Sequence, residues 1–304
     1  MKEQKTPYII QSISEQHRCL GLPKPKHPMV SVFRFEQMNK MLELPEWYSL
    51  AFYCISIKKN FTGKVKYGQR FYDYDEGVMA FMSPNQLLSH MQNESSTSEG
   101  ICLCFHPDFL NGYPLASTIK KYGFFSYETN EALHLSEEEE IVIDNILKNI
   151  ELEYQSNIDH FSQDVIIAQI ELILQYSNRF YNRQFITRKP ANDEILIRLD
   201  NLLTACFNDE VALISGIPTV QFISEQLNIS SSYLSDTLRS ITGQTTQQHI
   251  HNKIIDRAKE LLSNTNLTVS EISYQLGFEY PQSFNKLFKN KTNVSPLEFR
   301  NSFS

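Results

Sequence analysis

Two clusters of polar and cationic residues near the C-terminus repeat one spacing. Ser232, Ser235, Asp236 and Arg239 form the first, with Ser231 just ahead of them. Gln282, Ser283, Asn285, Lys286 and Lys289 form the second, about fifty residues on, with Tyr280 just ahead. Residues three, four and seven apart share one face of an α-helix. A helix face of hydroxyls, amides and a few cations can hydrogen-bond base edges and hold phosphates in a major groove. Arg239, Lys286 and Lys289 suit phosphate or guanine contacts. Ser231, Ser232, Ser235, Gln282, Ser283 and Asn285 suit base-edge or phosphate hydrogen bonds, with Asp236 and Tyr280 on the same surfaces.

Other reactive residue types form weaker patterns. Cys102 and Cys104 make a Cys-x-Cys, which on a strand points both thiols to one face. With no second paired motif they read as buried strand cysteines. The five cysteines are odd in number and scattered, as in a reduced, cytoplasmic protein. His249 and His251 have the His-x-His spacing, but on a helix two side chains at i and i+2 diverge. Asp73 and Asp75 read as a solvated turn. No Ser/His/Asp set and no phosphate loop is present. The expectation is a non-enzyme with no catalytic residues, no metal and no cofactor.

Two similar elements must position the two polar faces. Thr219–Leu227 laid over Thr268–Leu276 matches at six of nine positions. With one further residue of offset, Leu234 meets Phe284, Leu238 meets Phe288, Arg239 meets Lys289 and Thr242 meets Thr292. Each copy predicts a helix opened by a Thr cap, with Ile223 and Leu227, or Ile272 and Leu276, one turn apart. A break follows at Asn228 or Gly277, residues that tolerate the left-handed conformation of a tight helix–helix turn. Ile229 or Phe278 plugs the core below it. A second helix is predicted over Ser231–Ile241 and again over Pro281–Asn290, with Tyr233, Leu234 and Leu238, or Phe284, Leu287 and Phe288, inward. Between the copies, Thr246–Leu262 predicts one uninterrupted helix with Ile250, Ile254, Ile255, Ala258, Leu261 and Leu262 in its apolar stripe. A rigid connector suits two recognition helices that must sit roughly 34 Å apart to enter successive turns of one groove. The competing reading is a helical module that binds protein.

The tail resembles the DNA-binding domain of the AraC/XylS family of transcription regulators over about 85 residues, Thr219 to Phe299. The resemblance rests on Ile272–Phe278, on Ser283-Phe284 with Leu287-Phe288-Lys289, on Ala258–Leu262, and on Ser295-Pro296 before Phe299-Arg300. Three positions depart from the family's habit. Asn293 stands where Gly is usual, Asn228 where Gly is frequent, and Ile254 where a basic residue is usual. The resemblance implies sequence-specific binding of double-stranded promoter DNA, with RNA polymerase as a possible partner.

The front half has a different period. Ser49–Ile57, Gly68–Tyr74, Val78–Met82 and Gly100–Phe105 read as strands separated by turn residues, which predicts a small antiparallel barrel or sandwich. The resemblance implies that this half is a cupin-like barrel for effector binding or dimerisation. Gly68-x-Arg70 with Tyr72, Glu76-Gly77 and Phe81-x-Ser83-Pro84 are similar to such sensor domains. Phe52, Tyr53, Arg70, Tyr72 and Phe81 are candidates to line an effector pocket. No His-x-His occurs in residues 1–218, and His90, His106 and His134 are isolated, so cupin-type metal chemistry is not expected.

Ser136 followed by Glu137–Glu140 predicts a helix start, with Ile141, Ile143, Ile146, Leu147 and Ile150 as its apolar residues. Gln163–Phe185 predicts a second helix with Ile166, Ile170, Ile173, Leu174 and Ser177 in its stripe. The two helices are a candidate homodimer face. Arg188-Lys189-Pro190 reads as a break, with a last helix over Asp193–Phe207 before the repeat.

The expected fold class is therefore α+β, with a β-rich cupin-like barrel over 1–135. A helical dimerisation and linker region spans 136–189. An all-α domain with two helix-turn-helix units spans 190–304. The net charge of −7 is unevenly held. From Thr219 onward 8 Lys and Arg face 7 Asp and Glu, while residues 1–218 hold 20 against 28. The acidity belongs to the front, and the near-neutral tail permits DNA binding. No apolar run is long enough to cross a membrane, and the N-terminus lacks a secretory h-region.

Overall fold

The computed structural model describes residues 8–38, 47–59, 65–67, 70–72, 77–89, 99–128, 131–156, 159, 161–187, 189–207 and 216–302. The chain divides into two compact units, Met1–Gln184 and Phe185–Ser304.

The first unit holds the strands. They are β1 (Tyr8–Ile10), β2 (Val30–Arg34), β3 (Trp47–Leu50), β4 (Tyr53–Lys59), β5 (Val65–Tyr67), β6 (Arg70–Tyr72), β7 (Val78–Met82), β8 (Leu87–Ser89), β9 (Glu99–Phe105) and β10 (Leu133–His134). A five-stranded antiparallel sheet runs β10-β7-β4-β9-β2. β4 is its central strand, and Tyr53–Ile57 are buried throughout, which explains a run that is apolar but for Ser56. A second sheet runs β1-β3-β8, with β1 parallel to β3, and β5 pairs with β6. Among the described residues these sheets stay open and no closed barrel forms. The edge strand β10 is two residues long, too short to carry the ladder to a further strand.

The strand expected over Ser49–Ile57 is split. Ala51 and Phe52 end β3 and turn the chain into β4, which belongs to the other sheet. The Ala51 N–H donates to the Ile10 carbonyl at 3.0 Å, and Phe52 is fully buried. Gly100 cannot be replaced without strain. Its φ is +139°, and a Cβ there would lie 2.0 Å from the Ile57 carbonyl oxygen.

Helices α1 (Ile13–Cys19), α2 (Leu115–Thr118), α3 (Glu137–Gln155) and α4 (Ser162–Thr187) accompany the sheets. The α3 start forms as expected. Ser136 accepts from the Glu139 N–H while the Glu139 side chain accepts from the Ser136 N–H. Ile143, Ile146, Leu147 and Ile150 are buried, but Ile141 is 56% exposed because it lies off their stripe. Ion pairs tie α3 to the large sheet, Arg34 with Glu151 at 2.6 Å and Lys59 with Glu140 at 2.8 Å. The stripe of α4, Ile166 to Ser177, is buried as expected.

Of the candidate effector residues, Phe52, Tyr53 and Phe81 pack as core. Tyr53 stacks on Phe105 with ring centroids 5.3 Å apart, and Phe81 lies 4.5 Å from Phe124. The cavity beside Phe81 measures about 20 Å³, room for about one water. The side chains of Arg70 and Tyr72, and residues Gly68, Asp73, Asp75, Glu76 and His90, lie outside the described residues.

The second unit is all helical. It comprises α5 (Lys189–Cys206), α6 (Val220–Leu227), α7 (Ser231–Thr242), α8 (Thr246–Asn264), α9 (Val269–Gln275), α10 (Pro281–Thr292) and α11 (Pro296–Asn301). One core joins them, with Leu199, Ile223, Leu234, Ile254, Ile272 and Phe284 among its members. No helix among the described residues is long and apolar enough to cross a membrane.

Candidate nucleic-acid interface

The two halves of the tail repeat atom for atom at their turns. Thr219 caps α6 by accepting from the Phe222 N–H at 3.1 Å, and Thr268 caps α9 by accepting from the Glu271 N–H at 3.2 Å. Asn228 then takes the left-handed conformation at φ 57°, and Gly277 does so at φ 85°. The next N–H bonds back identically in each copy, Ile229 to the Ser224 carbonyl and Phe278 to the Ser273 carbonyl, both at 3.1 Å. The ends of the second helices match as well. Thr242 donates to the Leu238 carbonyl at 2.7 Å and Thr292 to the Phe288 carbonyl at 2.8 Å. Gly243 and Asn293 close them in the left-handed region.

The copies differ in how free their polar faces are. On α10, Gln282, Ser283, Asn285, Lys286 and Lys289 are all exposed. Among the described residues none of these side chains has a hydrogen-bond or ion-pair partner. Tyr280, at the helix start, is 59% exposed. On α7, Ser231 bonds the Ser224 hydroxyl at 2.7 Å and Ser235 the Thr246 hydroxyl at 3.0 Å. Arg239 is exposed and pairs with Asp236 at 3.4 Å. Ser232 is half-buried. The second cluster therefore forms an open donor–acceptor face, and much of the first is engaged within the domain.

Pro281 stands where the first copy has Ser231. The buried Ser273 hydroxyl, equivalent to Ser224, accordingly has no hydrogen-bond partner among the described residues. Pro281 favours the helix start in exchange, since it needs no N–H acceptor there.

The connecting helix α8 has 19 residues and so spans about 28 Å. Ile250, Ile254, Ile255, Ala258, Leu261 and Leu262 are buried, and the position of Ile254 leaves no room for a solvated cation. His249 bonds Thr242 and His251 bonds Gln247, so the two imidazoles diverge. Burial keeps both below the usual histidine pKa, with Lys291 adding to the effect at His251.

Two residues escaped the sequence reading. Asn252 on α8 donates to the Gln244 side chain at 2.8 Å and accepts from Lys291 of α10 at 3.0 Å. It thus links the segment after α7 to the second polar helix. Lys291 extends the cationic run of α10 by one turn end. Its spacing from Lys289 gave no helical periodicity to find it by.

Residues 223–302 match the model of a helix-turn-helix domain family. The chain is 37% identical over 81 residues to the Msm operon regulatory protein of Streptococcus mutans, covering 27% of this chain and 29% of that protein. It is 32% identical over 139 residues to the transcriptional activator RhaS of Salmonella arizonae, covering 46% and 45% respectively. The crystal structure of the C-terminal domain of the two-component response regulator yesN from Fusobacterium nucleatum aligns at 30% identity. That alignment covers 34% of this chain and 93% of that one, with a TM-score of 0.30. The chain spans less than half the length of either curated relative.

Proposed function

We propose that the protein is a sequence-specific DNA-binding transcription regulator of the AraC/XylS type, a reading supported by the match of residues 223–302 to a helix-turn-helix domain family. The observation that carries this reading is the doubled helix-turn-helix with matching turn bonds, whose second copy holds an open face of amides, hydroxyls and lysines. In this account α7 and α10 enter successive major-groove turns. Gln282, Ser283 and Asn285 read base edges, while Lys286, Lys289 and Arg239 hold phosphate or guanine. Ser232 adds to the first helix's contacts, and Ser231 and Ser235 orient that helix through their internal bonds.

Residues 1–135 serve as a cupin-like sensor or effector domain and 136–189 as a helical dimerisation region. A small effector would have to use another site than the aromatic core. The cavity of about 110 Å³ bordered by His27, Phe109, Tyr154 and Gln163 has room for only a few heavy atoms. The homodimer reading is supported by Val165 and Leu172, exposed two turns apart on α4. The protein would act in the cytoplasm by binding promoter DNA and engaging RNA polymerase, without catalysis.

The test is an electrophoretic shift of the purified protein on intergenic DNA flanking its own coding region, at two salt concentrations with nonspecific competitor. A discrete, salt-sensitive, competitor-resistant complex is expected. Full displacement by competitor would mean sequence-independent binding and contradict the reading, while no complex with either the full chain or residues 190–304 alone would point to a protein-binding module.

A further inference from the structure

Cys54 on β4 and Cys102 and Cys104 on β9 lie together on one face of the large sheet. The strand register sets Cys54 directly opposite Cys104. Cys102, two residues away, shares their face. The Cys54 and Cys104 sulfurs are 3.1 Å apart and those of Cys102 and Cys104 3.7 Å, with all three within 4.8 Å of one another. All are free thiols, closed off from water at 0%, 3% and 0% exposure. The DNA-binding account uses none of them.

Three sulfurs with no oxygen or nitrogen ligand among them suit a thiophilic centre. Three bonds of about 2.3 Å, the length of a zinc–thiolate bond, set at pyramidal angles would hold sulfurs about 3.5 Å apart. The two measured separations bracket that value.

Charge decides the occupant. The thiols sit in an apolar cluster with Ile10, Phe33, Leu50, Phe52 and Leu88, where net charge is costly. Three thiolates around a monovalent or divalent ion would leave a negative charge there. Lys58 acts on Cys102, but its ammonium lies over the Phe35 ring, 5.4 Å from the centroid. His17 directs both ring nitrogens away from the sulfurs, to the Pro23 carbonyl and the Ser31 hydroxyl, and burial pushes its pKa below the usual histidine value. A trivalent centre neutralises all three sulfurs.

We propose that Cys54, Cys102 and Cys104 bind one trivalent metalloid, presented as arsenite or antimonite, as a neutral three-sulfur complex. Arsenite enters as uncharged As(OH)₃. Three As–S bonds form as three As–O bonds break, and each thiol proton leaves with a hydroxide as water. No electron is transferred and no charge is left behind. The site is independent of the DNA-binding reading.

The experiment uses the reduced full-length protein and arsenite. After gel filtration, mass spectrometry is expected to find one arsenic per chain, as a gain of one arsenic less three hydrogens. Arsenic-edge X-ray absorption is expected to show three sulfurs and no oxygen in the first shell. Cys54→Ala and Cys102→Ala, each checked for wild-type circular dichroism, should weaken binding by about tenfold or more. The Cys19→Ala/Cys206→Ala double variant keeps only the cluster thiols, so its absorption spectrum decides alone if the cluster variants do not fold. Three sulfurs there support the site. No uptake, an oxygen in the shell, or binding unchanged in Cys102→Ala overturns it.

Discussion

Ser235 and Asn285 occupy equivalent places on α7 and α10, yet only one side chain is free. Ser235 spends its hydroxyl on Thr246, while Asn285 faces solvent. Asn285→Ala should therefore cost about 1–3 kcal/mol of discrimination between the cognate duplex and one with a single base pair changed. Ser235→Ala should change that discrimination by less than about 1 kcal/mol; competition binding on the paired duplexes measures both. The residue types of the polar faces were legible in the sequence, because hydroxyls, amides and lysines recur at helical spacing. Their freedom was not. Whether Ser235 points outward depends on Thr246, eleven residues away on another helix, and helical periodicity carries no record of that. The same holds for His17, buried between the Pro23 carbonyl and Ser31. Burial depresses its pKa, with the Pro23 bond opposing in part. A group with a depressed folded pKa contributes stability above its unfolded value and loses it as pH falls through the folded one. The melting temperature of the first unit should decline below about pH 6.5, and His17→Gln should flatten that decline in a scan of melting against pH.

Caps and turns explain which elements could be read. Asn228 and Asn293 both sit in the left-handed region, at φ 57° and 65°, a conformation that Asn tolerates, so neither departure from the Gly that the resemblance leads one to expect disturbs its turn. Asn293→Ala should lower stability by about 1 kcal/mol, whereas Asn293→Gly should stay within about that amount of wild type, as judged by thermal unfolding. Ser136, Thr219 and Thr268 all start their helices as the cap chemistry requires. The break expected at Arg188-Lys189-Pro190 coincides with the passage from α4, which ends at Thr187, to α5, which starts at Lys189, and Pro190 falls in the first turn of α5, where a missing N–H costs nothing. Strands fared worse. β4 and β9 are buried on long apolar runs and were visible, while β1, β8 and β10 have two or three residues each and exist through distant partners. The break between β3 and β4 falls on Ala51 and Phe52, apolar residues that interrupt no pattern.

Across the whole molecule, charge and exposure separate the two units. The net acidity lies in residues 1–218, so the overall charge conceals a near-neutral tail with Lys286, Lys289 and Lys291 on one helix. On the first unit, Val165 and Leu172 are exposed on α4 at 41% and 42%. If they meet a second copy, Val165→Glu with Leu172→Glu should convert a dimer to a monomer in analytical ultracentrifugation while circular dichroism stays unchanged.

The most direct measurement is the salt dependence of binding to a duplex selected by the protein from a random library, for wild type and for the Lys286→Ala/Lys289→Ala variant. Wild-type affinity should fall linearly on logarithmic axes, and the variant's slope should be shallower by about two, one for each lost phosphate contact. Enrichment of no sequence, or a slope that the two substitutions leave unchanged, would contradict the assignment of α10 to DNA.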